Sequence, residues 1–197
     1  MSNLYSLSAK MIKNKFYTVL ADINKKWFLG QATTSLDMKV LNKKSMRDFK
    51  DAIRVKITSG AKPGDFLGID FPLLIVSSKV LEVWKPFEKL ETYHVVVENR
   101  NIPFDYHGVV FLGRGGPFDP VKSKAVYSES LNDEGKPVVL KQQGMYFDNR
   151  QWDGSDLLTI NDFPCLPIVT ERVVKVMKEA EITNCRYTPL TKYGIYE

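Results

Sequence analysis

Apolar positions along the chain recur with two different periods, and the change from one to the other marks the elements. In Ala52-Ile-Arg-Val-Lys-Ile-Thr58 the period is two, with Ile53, Val55 and Ile57 on one side, which predicts a strand. Lys15-Phe-Tyr-Thr-Val-Leu-Ala21 has the density of β-branched and aromatic residues of a second strand. Further on, Val80, Leu81, Val83, Trp84 and Phe87 take the i, i+1, i+3, i+4, i+7 spacing of a helix that buries one stripe, and Val173, Val174, Val176, Met177 and Ala180 repeat it. A hydroxyl stands before each stripe, Ser77 or Thr170, where its oxygen is expected to accept from the orphan N–H groups of the first turn.

The two stripes belong to longer matching stretches. Asp70-Phe71-Pro72 opens an apolar run that reaches Ser77, and Asp162-Phe163-Pro164 opens one that reaches Thr170. Pro167 is the only insertion, after which the offset is 93. Strand candidates follow both helices, Thr92–Val97 and Cys185–Leu190, and Asn184 suits the left-handed conformation of a reversal. Between the stretches, His107–Leu112, Lys124–Tyr127, Pro137–Lys141 and Met145–Phe147 read as a meander of short antiparallel strands. Ser45, Met46, Phe49 and Ile53 suit a short capped helix, and Ser59–Gly64 is turn material. The expectation is an α+β fold with a mainly antiparallel sheet and two similar strand-helix-strand units, at about 70–97 and 162–190. It occupies one domain over 1–197, with a sub-division into a basic part, 1–60, and a repeat-containing body, 61–197.

Composition narrows the class. A chain of 197 residues, 44% hydrophobic, can bury a core without staples, and two cysteines, Cys165 and Cys185, do not frame a secreted disulfide scaffold. The longest apolar run, Phe71–Val76, is far too short to span a membrane. Residues 1–30 contain Asp22 and lack the apolar core of a signal peptide, so the expected location is cytoplasmic. Charge is uneven: residues 1–62 hold 13 Lys/Arg against four Asp/Glu, and the rest is net acidic. Such a basic third fits a solvated face or an acidic partner surface. It also leaves an alternative, a nucleic-acid or small-molecule binding module using that third. Lys13, Lys15, Phe16, Tyr17, Lys25, Lys26, Trp27 and Phe28 interleave basic and aromatic residues, but without an RNA-recognition consensus.

Catalytic patterns are missing. His94 and His107 lack the spacing of zinc ligands, no Gly-x-Ser-x-Gly is present, and Asp148, Asp153 and Asp156 do not match a calcium loop. Gly113-Arg-Gly-Gly-Pro-Phe-Asp-Pro120 offers backbone amides and a guanidinium to an anion, but no Gly-Lys-Ser/Thr follows, and Pro117 and Pro120 prevent a helix from opening there. It reads first as a plain turn and second as a protein-contact loop. No enzyme activity, cofactor or metal is expected.

The stretch Asp162-Phe-Pro-Cys-Leu-Pro-Ile-Val-Thr-Glu-Arg-Val-Val-Lys-Val-Met-Lys-Glu-Ala-Glu-Ile-Thr-Asn-Cys-Arg-Tyr-Thr-Pro-Leu190 resembles the C-terminal end of an α+β family of immunity proteins in bacterial polymorphic-toxin loci. Phe71–Val97 resembles it more loosely, and Thr183-Asn184 stands where such proteins often have glycine. The resemblance implies an antitoxin that binds a cognate toxin protein without catalysis, its affinity concentrated in a few aromatic and arginine anchors. Candidate partner-binding residues are then Lys25, Lys26, Lys43 and Lys44 of the basic third, with Arg114, Phe118 and Trp152 in the loops from Gly113 to Asp156.

Overall fold

The computed structural model of the chain describes residues 4–9, 18–21, 53–59, 64–69, 74–97, 105–131 and 135–194. These form a mixed α+β fold made mostly of strands. Strands β1 (Leu4–Ala9), β2 (Thr18–Ala21), β3 (Ile53–Ser59), β4 (Phe66–Ile69) and β5 (Leu74–Ser77) lead to helix α1 (Ser78–Trp84). Strands β6 (Leu90–Val97), β7 (Tyr106–Phe111), β8 (Gly113–Arg114), β9 (Val126–Leu131), β10 (Pro137–Lys141), β11 (Leu157–Ile160) and β12 (Phe163–Thr170) follow. Helix α2 (Glu171–Glu179) and strand β13 (Cys185–Pro189) complete the order.

Six strands close a barrel in the order β2-β3-β6-β7-β5-β4, five form a sheet in the order β13-β1-β12-β11-β8, and β9 and β10 pair only with each other among the described strands. Antiparallel ladders dominate; β2–β4, β3–β6 and β8–β11 run parallel. Two insertions knit the chain together. β1 lies between β12 and β13, with Tyr5 opposite both Val169 and Pro189. β7 lies between β5 and β6, with Gly108 opposite both Ile75 and Tyr93.

Side chains alternate across these strands and so divide the interior. Phe66, Val76, Val109 and Phe111 point to the helices, where Val80, Trp84 and Phe87 meet Leu157, Val169, Val173, Val174 and Met177 in one buried cluster. Trp84 sits edge-on to Phe66 and Phe111, at ring-centroid distances of 6.2 and 5.5 Å. The neighbouring positions Leu67, Ile75, Tyr93 and Val95 are buried on the barrel side, together with Val55. There the Tyr93 ring lies so close over Gly108 that a Cβ at Gly108 would come within 1.7 Å of it. A second cluster, Met145, Phe147, Leu158, Ile160, Ile168 and Leu190, covers the other face of the five-stranded sheet.

The helical stripes lie where the spacing predicts. Phe87 is buried just beyond α1, in the turn that follows it. The strands at 53–59, 90–97, 106–111 and 185–189 match their expected segments, and β2 covers the described part of 15–21. The short helix at 45–50 and Asp70-Phe71-Pro72 lie outside the described residues.

Two expectations are corrected. Neither Ser77 nor Thr170 caps its helix through the side chain. Each hydroxyl instead donates to a carboxylate, Ser77 to Asp65 at 2.8 Å and Thr170 to Asp156, because a buried hydroxyl gains more from a charged acceptor at hand than from a helical N–H. The stretch 107–147 is not a meander either. β7 pairs with β5 and β6, β9 pairs with β10, and Met145–Phe147 makes only an isolated bridge, Phe118 to Phe147.

Asn184 has the expected positive φ, 47°. Its side chain accepts from Phe66 N at 2.9 Å and donates to Phe66 O, pairing with β4 as a neighbouring strand would. Beside it, Asp65 accepts from the backbone N–H and the hydroxyl of Thr183, both at 2.7 Å. No helix among the described residues is long and apolar enough to cross a membrane.

Candidate protein-interaction surface

The β9–β10 hairpin is built differently from the rest of the fold. Its registers, Pro137 opposite Leu131, Val139 opposite Tyr127 and Lys141 opposite Val126, contain two irregularities that twist the pair. Pro137 opens β10, where a missing N–H is tolerated. The base is clamped: Ser123, fully buried, receives Tyr146 N on its hydroxyl at 3.0 Å and Gln143 N on its carbonyl at 2.8 Å. Asp119 accepts from Lys122 N at 3.0 Å, and that backbone bond, foremost, holds its carboxyl below the ordinary value.

Above this base the strands carry apolar side chains into solvent. Val126 is 51% exposed, Leu131 62% and Leu140 54%, with Tyr127 and Val138 also exposed, and Val121 is 84% exposed in the turn before β9. Exposed large apolar residues elsewhere in the described structure reduce to Leu112 at the end of β7. A two-stranded hairpin with apolar side chains on an unpaired sheet is marginal in water and is the kind of surface a partner protein covers.

The glycine-rich loop has a packing role. Arg114 lies in β8, its guanidinium donating to Thr159 Oγ1 at 2.8 Å and to Phe111 O at 3.4 Å, and its backbone pairs with Asp153 in both directions. A Cβ at Gly116 would meet Asp148 O at 2.1 Å and one at Gly115 would meet Ile160 at 2.7 Å, so these glycines let the loop lie flat on its neighbours. Phe118 stacks edge-on against Phe163 at 5.0 Å and donates its N–H to Asp162 Oδ2 at 2.8 Å. Trp152 is half-buried against the second cluster and donates from Nε1 to Ser155 O at 3.2 Å. Phe118 and Trp152 thus pack on the second cluster with Leu158 and Ile160, whereas the Arg114 guanidinium bonds Thr159 between those two residues of β11. Each of the three is engaged with the fold, and Lys25, Lys26, Lys43 and Lys44 lie outside the described residues.

Several other polar groups are likewise tied locally. The Arg150 side chain grips both carboxylate oxygens of Asp148 at 2.9 Å and holds that carboxyl far below the usual range. His94 and His107 face each other across β6 and β7, and His107 Nε2 lies 3.1 Å from Ser78 Oγ. Burial pushes the Cys185 thiol up, and its sulfur donates to Tyr187 Oη at 2.9 Å, leaving a poor nucleophile. Among the described residues no three His, Cys, Asp or Glu side chains are grouped to hold a metal ion.

The hairpin lies within the Gly113–Asp156 region singled out in the sequence, but its apolar strands carry only a weak sign of being a surface. Its signal was the run of Val126, Tyr127, Leu131, Val138 and Leu140 without a consistent inward-facing period, a pattern that read as ordinary strand. Comparison with models of known protein families gives no match, and comparison with curated proteins gives none either.

Proposed function

We propose that the chain is an immunity protein that binds and neutralises a cognate bacterial toxin in the cytoplasm, with the β9–β10 hairpin as its main docking element. The exposed apolar hairpin on a clamped base carries this reading. Its partner has an apolar contact patch within an acidic surround, complementary to the chain's net charge of +5 and to Lys122 and Lys124 at the hairpin base. Catalysis has no part in it: binding alone occludes the toxin.

The same reading takes the body as two related strand-helix-strand units that act as scaffold. Matched ladders support it: Phe66 opposes Val76 and Leu67 opposes Ile75, as Leu157 opposes Val169 and Leu158 opposes Ile168. Matched polar contacts support it further, since Ser77 bonds Asp65 through both backbone and hydroxyl, as Thr170 does Asp156. What the units do not share is the chain before them. Between β2 and β4 it supplies β3, which closes the barrel; between β8 and β11 it supplies the hairpin, which closes nothing. Function is sought in that difference.

The test is calorimetric titration of the chain with the purified product of the neighbouring reading frame. A complex is expected, and Val126→Glu with Leu140→Glu is expected to weaken it by roughly a hundredfold, the loss of two buried apolar anchors. Absence of a complex, or unchanged affinity in the double variant, overturns the proposal.

A further inference from the structure

On the face of the five-stranded sheet opposite the helices lies a cleft of about 460 Å³. Its lining includes Met145, Phe147 and Leu190 of the second core cluster, Leu4 of β1, which packs on that cluster, and Lys122 and Lys192. None of its lining residues is Asp or Glu. We infer that this cleft is a binding site for a small amphipathic organic acid, its apolar body on Met145, Phe147 and Leu190 and its carboxylate toward Lys122 and Lys192.

Three observations carry this. The volume lies in the range of small-molecule sites, and the mixture of an apolar floor with a few polar groups is what such sites use to fix orientation. The walls are fixed before any ligand arrives: Met145 N donates to Leu190 O at 2.8 Å, and Gly144 packs so closely that a Cβ there would stand 3.1 Å from Thr191 O. Preorganisation of this kind removes part of the ordering cost of binding. Finally, the equivalent side of the β4–β5 ladder is not open. There β3 crosses to complete the barrel and Val55 is buried. In the five-stranded sheet no described strand takes that place, and the cleft lies there beside β1 and β13. Lys122 also reaches Asp119 at 3.5 Å and Lys192 has a contact of its own in the fold, so a bound carboxylate shares both cations with their present partners. This inference shares Lys122 and the equivalence of the two ladders with the proposed function, but the hairpin's apolar strands do not line the cleft, so octanoate binding and toxin binding fail separately.

Titration of the isotope-labelled full-length chain with octanoate, followed by amide NMR, tests it, with octanol as the uncharged control. Saturable shifts confined to Met145–Asn149 and Leu190–Lys192 are expected. Octanol should bind at least about tenfold more weakly than octanoate, the discrimination of one charge-assisted contact. Lys122→Gln with Lys192→Gln should bring octanoate down to the octanol level in a protein whose remaining spectrum is unchanged, and Asn149→Trp at the rim should abolish binding of both. No shift at these residues, shifts spread over the hairpin, or equal octanoate affinity in the double-lysine variant overturns the inference.

Discussion

At the residue scale, two buried polar groups with opposite circumstances make the sharpest claims. Asp65 is satisfied: Ser77 and Thr183 both donate to it, and its loss strands the buried Ser77 hydroxyl and removes the acceptor of the part-buried Thr183 N–H. Asp65→Ala is expected to cost about 3 kcal/mol, read as a lower urea midpoint at unchanged slope. Tyr93 is the reverse case, its hydroxyl buried with no hydrogen-bond partner among the described residues. Tyr93→Phe is therefore expected to be neutral or stabilising by about 1 kcal/mol, and a loss of more than that would reveal a partner. Gly108→Ala drives a methyl into the Tyr93 ring and is expected to cost roughly 3 kcal/mol, much of it recovered when Tyr93→Val is added. None of this is legible from spacing. Ser77 and Thr170 occupy the N-cap positions that the sequence predicts, but their acceptors lie 12 and 14 residues away, a distance that helix periodicity does not address.

Among the elements, the two helices were the most legible because an amphipathic stripe is a local signal: Val80 and Trp84, or Val173, Val174 and Met177, are buried as the spacing requires. Strand pairing was much less so. β7 has the composition of a meander strand, yet its partners are β5 and β6, and the chain that follows crosses to the other sheet through the two residues of β8. Pairing is decided by which edges remain open after the barrel closes, and no residue of β7 records that. The candidate surface was legible only in part. Arg114, Phe118 and Trp152 have the chemistry of anchors, yet each is held by the fold, whereas the exposed hairpin has the sequence of ordinary sheet. Val126→Glu with Leu140→Glu should leave the melting temperature within about 2 °C of the parent, because these side chains contribute little to the folded body. A drop of 8 °C or more would assign the hairpin a structural role.

For the whole molecule, the exchange of β1 and β7 has a direct consequence. A chain divided in the 98–104 connection yields two fragments, one carrying the strand β1 that completes the β12–β13 sheet and the other the strand β7 that completes the barrel. Each alone is expected to lack fixed aromatic near-ultraviolet circular dichroism, and an equimolar mixture to regain it; a fragment that folds by itself contradicts the interlocked core. Stability should also narrow at both ends of the pH scale. The Asp148 carboxyl, depressed by Arg150, and the Asp119 carboxyl contribute stability above about pH 4 that is lost as acid protonates them. Burial raises Tyr93, which stays neutral in the fold while the unfolded chain ionises it, so stability falls as pH rises past about 10. Thermal melts across pH 2–12, with Tyr93→Phe flattening the alkaline limb, check both signs.

The proposed neutralising role is tested most directly by growth of cells expressing the neighbouring reading frame alone, with the chain, or with its Val126→Glu, Leu140→Glu variant. Arrest by the neighbour alone, rescue by the parent chain and failure of rescue by the folded variant are expected. A harmless neighbour, or rescue by the variant equal to that by the parent, would contradict both the role and the surface assigned to it.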